Sequence, residues 1–177
     1  MTASDSKRSF AAALKELASK KTLEKITTEE IVKTAGLSRQ TFYKFFADKY
    51  DLAFWIYRHE FEPVIDRYKE THISFREMNI HMMEMMRDER EFYRNVMDRY
   101  EVQNSFFRQY HKYSYDMTVS YFGRTDKLTK AVIDHYCYGS NLMLMNWIVG
   151  GMKESIEFMA DLFDASLPPR MRQLLDE

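Results

Sequence analysis

The chain has 177 residues, 45% of them hydrophobic, with only five glycines and three prolines. That length holds one sizeable core or two small domains, and the scarcity of turn residues argues against an all-β protein. A single cysteine, Cys137, excludes an intrachain disulfide and fits a reducing compartment. No basic-then-apolar leader opens the chain, and its most apolar window, Asn141 to Val149, is too short to span a bilayer. The expectation is a cytoplasmic protein without a membrane partner. The formal net charge of −1 is uneven: residues 1–50 hold ten Lys/Arg against six Asp/Glu, or +4, and the remainder sixteen against twenty-one, or −5. A basic end on a near-neutral body is the charge pattern of a nucleic-acid-reading head.

After five residues read as a frayed tail, Phe10, Ala13, Leu14, Leu17 and Ala18 set the apolar stripe of a helix over Ser6 to Lys20. Lys7 and Arg8 at its start are candidates for phosphate contacts. The stretch Ile26 to Leu52 then carries two helix-sized units around a turn. Thr27 and Glu30 have the spacing of a capping box, and Ile31, Val32 and Ala35 form one apolar face. Gly36 suits a sharp turn, Leu37 plugs the angle, and Ser38 can cap the next helix. In that helix Phe42, Phe45 and Phe46 form a stripe expected to be buried. Gln40 and Lys44 point outward, with Thr41 and Tyr43 on the flanks. This is a helix-turn-helix whose second helix suits a major groove.

These residues carry a family resemblance. Thr27, Ile31, Ala35-Gly36-Leu37-Ser38, Thr41 to Phe46, and Lys49 with Leu52 form a composite pattern that resembles the tetracycline-repressor (TetR) family of transcriptional regulators. The resemblance covers about the first third of the chain. It implies an all-α fold: a three-helix DNA-binding domain over residues 1–50, then a helical ligand-binding and dimerisation domain over 51–177, about nine helices in total. The expected DNA contacts are Thr27, Thr28, Arg39, Gln40, Thr41, Tyr43, Lys44 and Lys49. Arg39, Gln40 and Thr41 would read base edges, and Tyr43, Lys44 and Lys49 would hold the backbone. One departure is the acidic Glu29, where some members place a base-reading basic residue; it bears on target preference.

Asp48 can cap a fourth helix, with Asp51 in its first turn. Leu52 to Tyr57 is apolar all round, which suits a connector buried on more than one side. Pro63 either kinks this helix or divides it in two. Further starts are expected at Ser74 with Glu77 and at Asp88 with Glu91, both with capping-box spacing, followed by a helix from Asn104 to Phe122 that stops at Gly123. Methionines and tyrosines crowd this region. Such a set is ordinary core, or a mostly apolar pocket with a few polar tips, and the family resemblance favours the pocket. Met97, Tyr100, Tyr110, Tyr113 and Trp147 are its candidate lining, for a small-molecule effector that would shift the fourth helix.

A long helix is expected from Asp126 to Val149 with Gly139 and Ser140 midway. A shorter one follows over Ser155 to Phe163, then Pro168-Pro169 and a last turn or two. Their leftover apolar surface suggests pairing with a second copy as an intersubunit four-helix bundle, the use the family also implies. The run HYCYGSNLMLMNWIVGGMKES loosely resembles a TetR subgroup that includes regulators of dihydroxyacetone kinase.

Catalytic chemistry finds no constellation. No Glu-x-x-His occurs, the five histidines lack an i, i+4 pair, and one cysteine cannot build a thiolate cluster. No Gly-rich phosphate loop is present, and Cys137 and His135 lie two apart on a helix, facing different ways. We therefore expect no enzyme, no metal and no cofactor. The expected protein is a homodimeric regulator, a repressor by family default, that binds near-palindromic double-stranded DNA. The alternatives are an activator or coactivator of the dihydroxyacetone-kinase-regulator type, and a helical protein-interaction module that binds no DNA.

Overall fold

The computed structural model describes residues 2–71, 73–98, 105–123 and 126–175. Among them are ten α-helices and no strand: α1 (Ala3–Ala18), α2 (Thr28–Ala35), α3 (Arg39–Phe45), α4 (Lys49–Thr71), α5 (Phe75–Asp88), α6 (Arg90–Met97), α7 (Ser105–Phe122), α8 (Lys127–Val149), α9 (Ile156–Ala165) and α10 (Pro169–Leu175). The tenth is the segment after Pro168, whose seven residues make about two turns, as expected. No helix of the described residues is long and apolar enough to cross a membrane.

Helix starts follow side-chain caps. Thr2, Thr27 and Ser74 close reciprocal boxes with Asp5, Glu30 and Glu77, so α1 begins at Ala3 and the residues before Ser6 are not a frayed tail. Ser38, Asp126 and Ser155 accept from the backbone of Thr41, Thr129 and Phe158. Asp48 accepts from the N–H groups of Tyr50 and Asp51, while Asp51 accepts from Ala47. The box expected at Asp88 does not form. Helix α5 runs through Asp88, and Glu89 caps α6 without a side-chain bond, so Asp88 lacks the extended backbone a capping residue needs. Pro63 lies inside α4, which continues past it as one helix to Thr71.

Helices α1 to α3 form the head. Phe10 of α1 meets Phe42 and Phe46 edge-on, at ring-centroid distances of 5.3 and 6.3 Å, and Leu14, Leu23, Ile26 and Ile31 close the same core. Phe45 is only half-buried. Its ring lies under the Lys7 ammonium at 5.6 Å, so the expected three-ring stripe narrows to Phe42 and Phe46. The head core does not end at α3: through Leu52, Ile56 and Tyr57 of α4 and Phe92, Tyr93 and Met97 of α6 it continues into the body. A second cluster, with Phe122, Ile133, Tyr136, Leu167 and Met171, occupies the far end of the body between α7, α8 and α10.

Candidate functional site

The turn between α2 and α3 explains the outward face of the head. Gly36 ends α2 at φ +65°, a left-handed conformation that a Cβ disfavours, and lets the chain reverse within two residues. Ser38 then starts α3, and its Oγ lies 2.8 Å from the Thr41 hydroxyl. With Phe42 fully buried, helical geometry leaves Arg39, Gln40, Tyr43 and Lys44 exposed and Thr41 half-buried at their edge. Gln40, Thr41, Tyr43 and Lys44 line one shallow groove, and the Arg39 guanidinium sits 5.5 Å from the Tyr43 ring with a 3.4 Å bond to its hydroxyl. These five residues therefore share one basic, hydrogen-bonding face.

Thr27 and Thr28 open α2. Thr27 is exposed, but its hydroxyl already bonds to Glu30. Hydrogen bonds from Lys21, then from the Thr27 backbone and hydroxyl, hold the Glu30 carboxyl at about 2. Glu29 is exposed. Lys49, expected to face phosphate, instead turns its ammonium onto the head: Nζ donates to the carbonyls of Glu24 and Ile26 at 2.7 and 2.8 Å. Burial lowers its pKa from the ordinary value. An ammonium has three hydrogens, so one stays available for a phosphate oxygen.

The head is also tied to the body by a polar junction the sequence did not reveal. Lys15 of α1 pairs with Glu60 of α4 and, at 3.0 Å, with Glu89 at the α5–α6 joint. Burial lowers the Lys15 pKa, and the bonds to Glu60 and Glu89 outweigh it and hold the pKa raised. The Tyr93 hydroxyl donates to the other oxygen of Glu60 at 2.8 Å, and the Asn95 amide caps the Ala18 carbonyl at 2.6 Å. A pair of acidic side chains on a Lys was not readable beforehand, because its members come from three separated segments.

The body encloses a cavity of about 50 Å³ at the seam between the two apolar clusters. Tyr57, Phe61 and Ile65 of α4 form one wall, Phe75 and Met82 of α5 another, and α7 and α8 the rest. Of the expected pocket residues, Tyr110 and Tyr113 line it. Met97 and Trp147 do not. Met97 is fully buried in the core around α6, where its position is set by packing against the head side of the body. Trp147 points its indole N–H at the Glu154 carbonyl, 3.0 Å away, and so anchors the turn between α8 and α9. Tyr100 lies outside the described residues. Residues not anticipated as lining include Asn79, Ser114, Thr118, Ser140 and Asn141, small polar side chains whose placement depends on helix packing. Cys137 lines the cavity too, and burial pushes its thiol pKa up while His135 is exposed, so no activated nucleophile arises. Among the described residues no group of three His, Cys, Asp or Glu stands close enough to hold a metal ion.

On the opposite side of α8, Met143 and Phe158 are exposed (41% and 55%) and share a groove with Trp147, Met159 and Leu162. Gly150 leaves room at the turn that closes this groove: a Cβ there would meet the Asn146 carbonyl at 2.9 Å.

Comparison with known proteins bears on this arrangement. Two solved structures share the fold over nearly the whole chain. One is described as the dihydroxyacetone kinase operon activator DhaS, with a TM-score of 0.63 and 17% identity, covering 95% of this chain and 97% of that one. The other is a tetR-family transcriptional regulator from Streptomyces coelicolor, with a TM-score of 0.58 and 14% identity, covering 99% of this chain and 89% of that one. A search of curated proteins returns no sequence match. Residues 11–54 match the family described as bacterial regulatory proteins of the tetR family. Residues 74–168, more than half the chain, match the family described as the transcriptional regulator C-terminal region. With its helix-turn-helix head, the chain belongs to the TetR family of DNA-binding transcriptional regulators.

Proposed function

We propose that the protein is a homodimeric repressor that grips a near-palindromic operator and releases it when a small molecule enters the body cavity. The observation that carries this reading is the course of α4. Its first residue, Lys49, holds the carbonyls of Glu24 and Ile26 in the head, and three turns on its Tyr57, Phe61 and Ile65 form a wall of the cavity. Anything that displaces the wall displaces the head. A ligand does so only if it binds one position of α4 more tightly than the other, and a few kcal/mol is enough.

In the head, α3 enters the major groove. Arg39, Gln40 and Thr41 read bases, Arg suiting guanine and Gln suiting adenine, while Tyr43, Lys44 and the third hydrogen of the Lys49 ammonium hold phosphates, with Thr27 and Thr28 at the edge. The dimer forms through α8 and α9. The apolar groove with Met143 and Phe158 at its edges supports pairing with a second copy, since an exposed apolar patch of this kind marks an interface. Cytoplasmic residence follows from the role.

Capture of fragmented genomic DNA by the purified protein, followed by sequencing, tests this reading. The expected result is one or a few enriched near-palindromes; enrichment of none leaves the head a protein-interaction module and removes the proposal. Light scattering that finds only monomer removes the dimer. A second reading, transcriptional activation, is favoured by the fold shared with a protein described as an operon activator. Deleting the gene decides the sign: transcripts beside the operator rise for a repressor and fall for an activator.

A further inference from the structure

The polar groups of the body cavity change hydrogen-bonding character along its length, Tyr110, Ser114 and Thr118 following one another at single-turn intervals along α7, and this limits what can bind. Toward one end stand Tyr57 and Tyr110, only 2% and 1% exposed. Their hydroxyls contact each other and both approach the thioether of Met82, at 3.7 and 3.9 Å. One phenol hydrogen goes to the other phenol oxygen and the second meets only the thioether, a weak acceptor, so the pair keeps one donor without a good oxygen or nitrogen to receive it.

The groups farther along accept. The Asn141 amide reaches His111 Nδ1 at 3.3 Å, and His111 Nε2 lies 3.0 Å from the exposed Asp134 carboxylate. An amide N–H can meet only a ring nitrogen without a hydrogen, so Nδ1 accepts and Nε2–H donates to Asp134. This orients the amide with Asn141 Oδ1 toward Ser114, whose hydroxyl donates to it at 3.3 Å. Ser114 Oγ is thereby left as an acceptor. The Thr118 hydroxyl likewise spends its hydrogen, on the Ser114 carbonyl at 2.8 Å; its oxygen accepts weakly from the Cys137 thiol at 3.5 Å and keeps a lone pair to offer. Among the described residues no charged side chain lines the cavity, and an ion entering it would lose its hydration with no counter-charge from them in contact.

We propose that the cavity takes a small uncharged molecule with an acceptor oxygen at one end and a hydroxyl donor at the other, the chemistry of a hydroxyketone or short diol. The acceptor receives the spare hydrogen of the Tyr57–Tyr110 pair, and the donor meets Ser114 or Thr118. A volume of about 50 Å³ sets the size: at roughly 10–15 Å³ per water-sized body it holds about four such bodies, or about five non-hydrogen atoms. The inference rests on the cavity being the effector site, and it adds the class of effector.

The test uses the full-length protein carrying ¹³C-methyl methionine, with the Met82 and Met117 methyls as reporters on the lining. Hydroxyacetone and 1,2-propanediol are the probes; 1-amino-2-propanol, of matched size, and lactate, larger by one non-hydrogen atom, are their charged counterparts. The expected result is saturable shifts of both methyls by the neutral pair, with dissociation constants on the order of 1 mM. The charged pair should be weaker by about tenfold or more. Tyr57→Phe and Tyr110→Phe combined in one variant should weaken hydroxyacetone about tenfold while the remaining methyl spectrum, and hence the fold, stays unchanged. Equal binding of lactate or the amine overturns the proposal, as does a lack of saturable shift by either neutral probe. Operator binding measured in parallel separates the two readings: shifts without release of DNA sustain the ligand class and remove the effector role. Release by a charged probe that shifts the same methyls sustains the effector role and removes the ligand class.

Discussion

The head and the body cavity are built to opposite ends. In the head, Phe10, Phe42 and Phe46 interlock edge to face, and side-chain caps close the starts of α1, α2 and α3. In the body, Tyr57 and Tyr110 are as buried as Phe42 and yet point their hydroxyls at a sulfur. A surface that must dock in fixed register on a duplex gains from complete internal satisfaction. In the function proposed above, a cavity that responds to an effector gains from a donor that the protein leaves with only a sulfur partner. Helix α4 belongs to both, with Lys49 on the head and Tyr57 at the cavity, so the two regimes meet on one rigid rod.

The largest effect expected from this contrast is at Phe42. Phe42→Ala should cost about 3–5 kcal/mol in urea unfolding, because it opens a void in a core with nothing to fill it. Tyr57→Phe should change stability by less than about 1 kcal/mol, since the lost hydroxyl made only sulfur and phenol contacts. Comparable losses at the two positions would end the contrast. Next in size is Lys49→Met, which leaves two head carbonyls without a charged donor. A loss of about 1.5–3 kcal/mol is expected, with weaker operator binding. The salt slope of that binding separates the roles: it falls by about one unit if Lys49 also holds a phosphate and is unchanged if its work is confined to the head.

Helix caps and buried phenols should also fail at opposite ends of the pH scale. Glu30 titrates at about 2 in the folded head against an ordinary 4.5, so below 4.5 the unfolded chain binds more protons. Its contribution is present above that value and is lost as pH falls toward 2. Burial raises Tyr57 and Tyr93 well above their ordinary 10 and raises Tyr110 as well. Past pH 10 the native body keeps protons that the unfolded chain has released, and stability falls as pH rises. Asp126, which caps α8, is likewise lowered to about 2 by its bonds to Thr129 and Arg170, so amide exchange should report loosening at the starts of α2 and α8 first in acid and at α4 and α7 first in alkali; the reverse order would contradict both assignments. The smallest stability effect is at Gln40. Gln40→Ala on the exposed face of α3 should stay within about 0.5 kcal/mol in unfolding, while relaxing base preference at particular operator positions by about 1–3 kcal/mol.

Much of the head was legible in the sequence for a simple reason. The spacing of Phe42 against Gln40 and Lys44 fixes opposite sides of a helix whatever surrounds it, and Gly36 marks a backbone conformation by its own stereochemistry. The outward face of Arg39, Gln40, Thr41, Tyr43 and Lys44 came with that spacing. The cavity was legible only as a tendency. Methionine and tyrosine at helical intervals indicate a deformable core, and two of the expected residues, Tyr110 and Tyr113, do reach the cavity. Met97 and Trp147 carry the same composition signal, but their neighbours are a head-facing core and a turn carbonyl. The polar lining escaped altogether, since Ser114 or Asn141 on a helix reads as solvated surface until a facing helix is placed against it.

What the sequence determined by itself is what depends on atoms a few bonds apart: the caps at Thr27, Ser38, Ser74, Asp126 and Ser155, the turn at Gly36, the family pattern, and with it the all-α class. Asp88 shows the limit of that rule. Its spacing to Glu91 is right, but α5 packs between α4 and α9 and carries its helical backbone through the position, so tertiary contact overrides the local signal. The tertiary structure alone decided that Lys49 grips Glu24 and Ile26, that Lys15 joins three segments, and that the Tyr57 and Tyr110 phenols meet at one cavity with the Ser114 and Thr118 hydroxyls. Each of those needs side chains far apart in the chain to arrive within about 3–4 Å, a distance at which hydrogen bonds either form or do not.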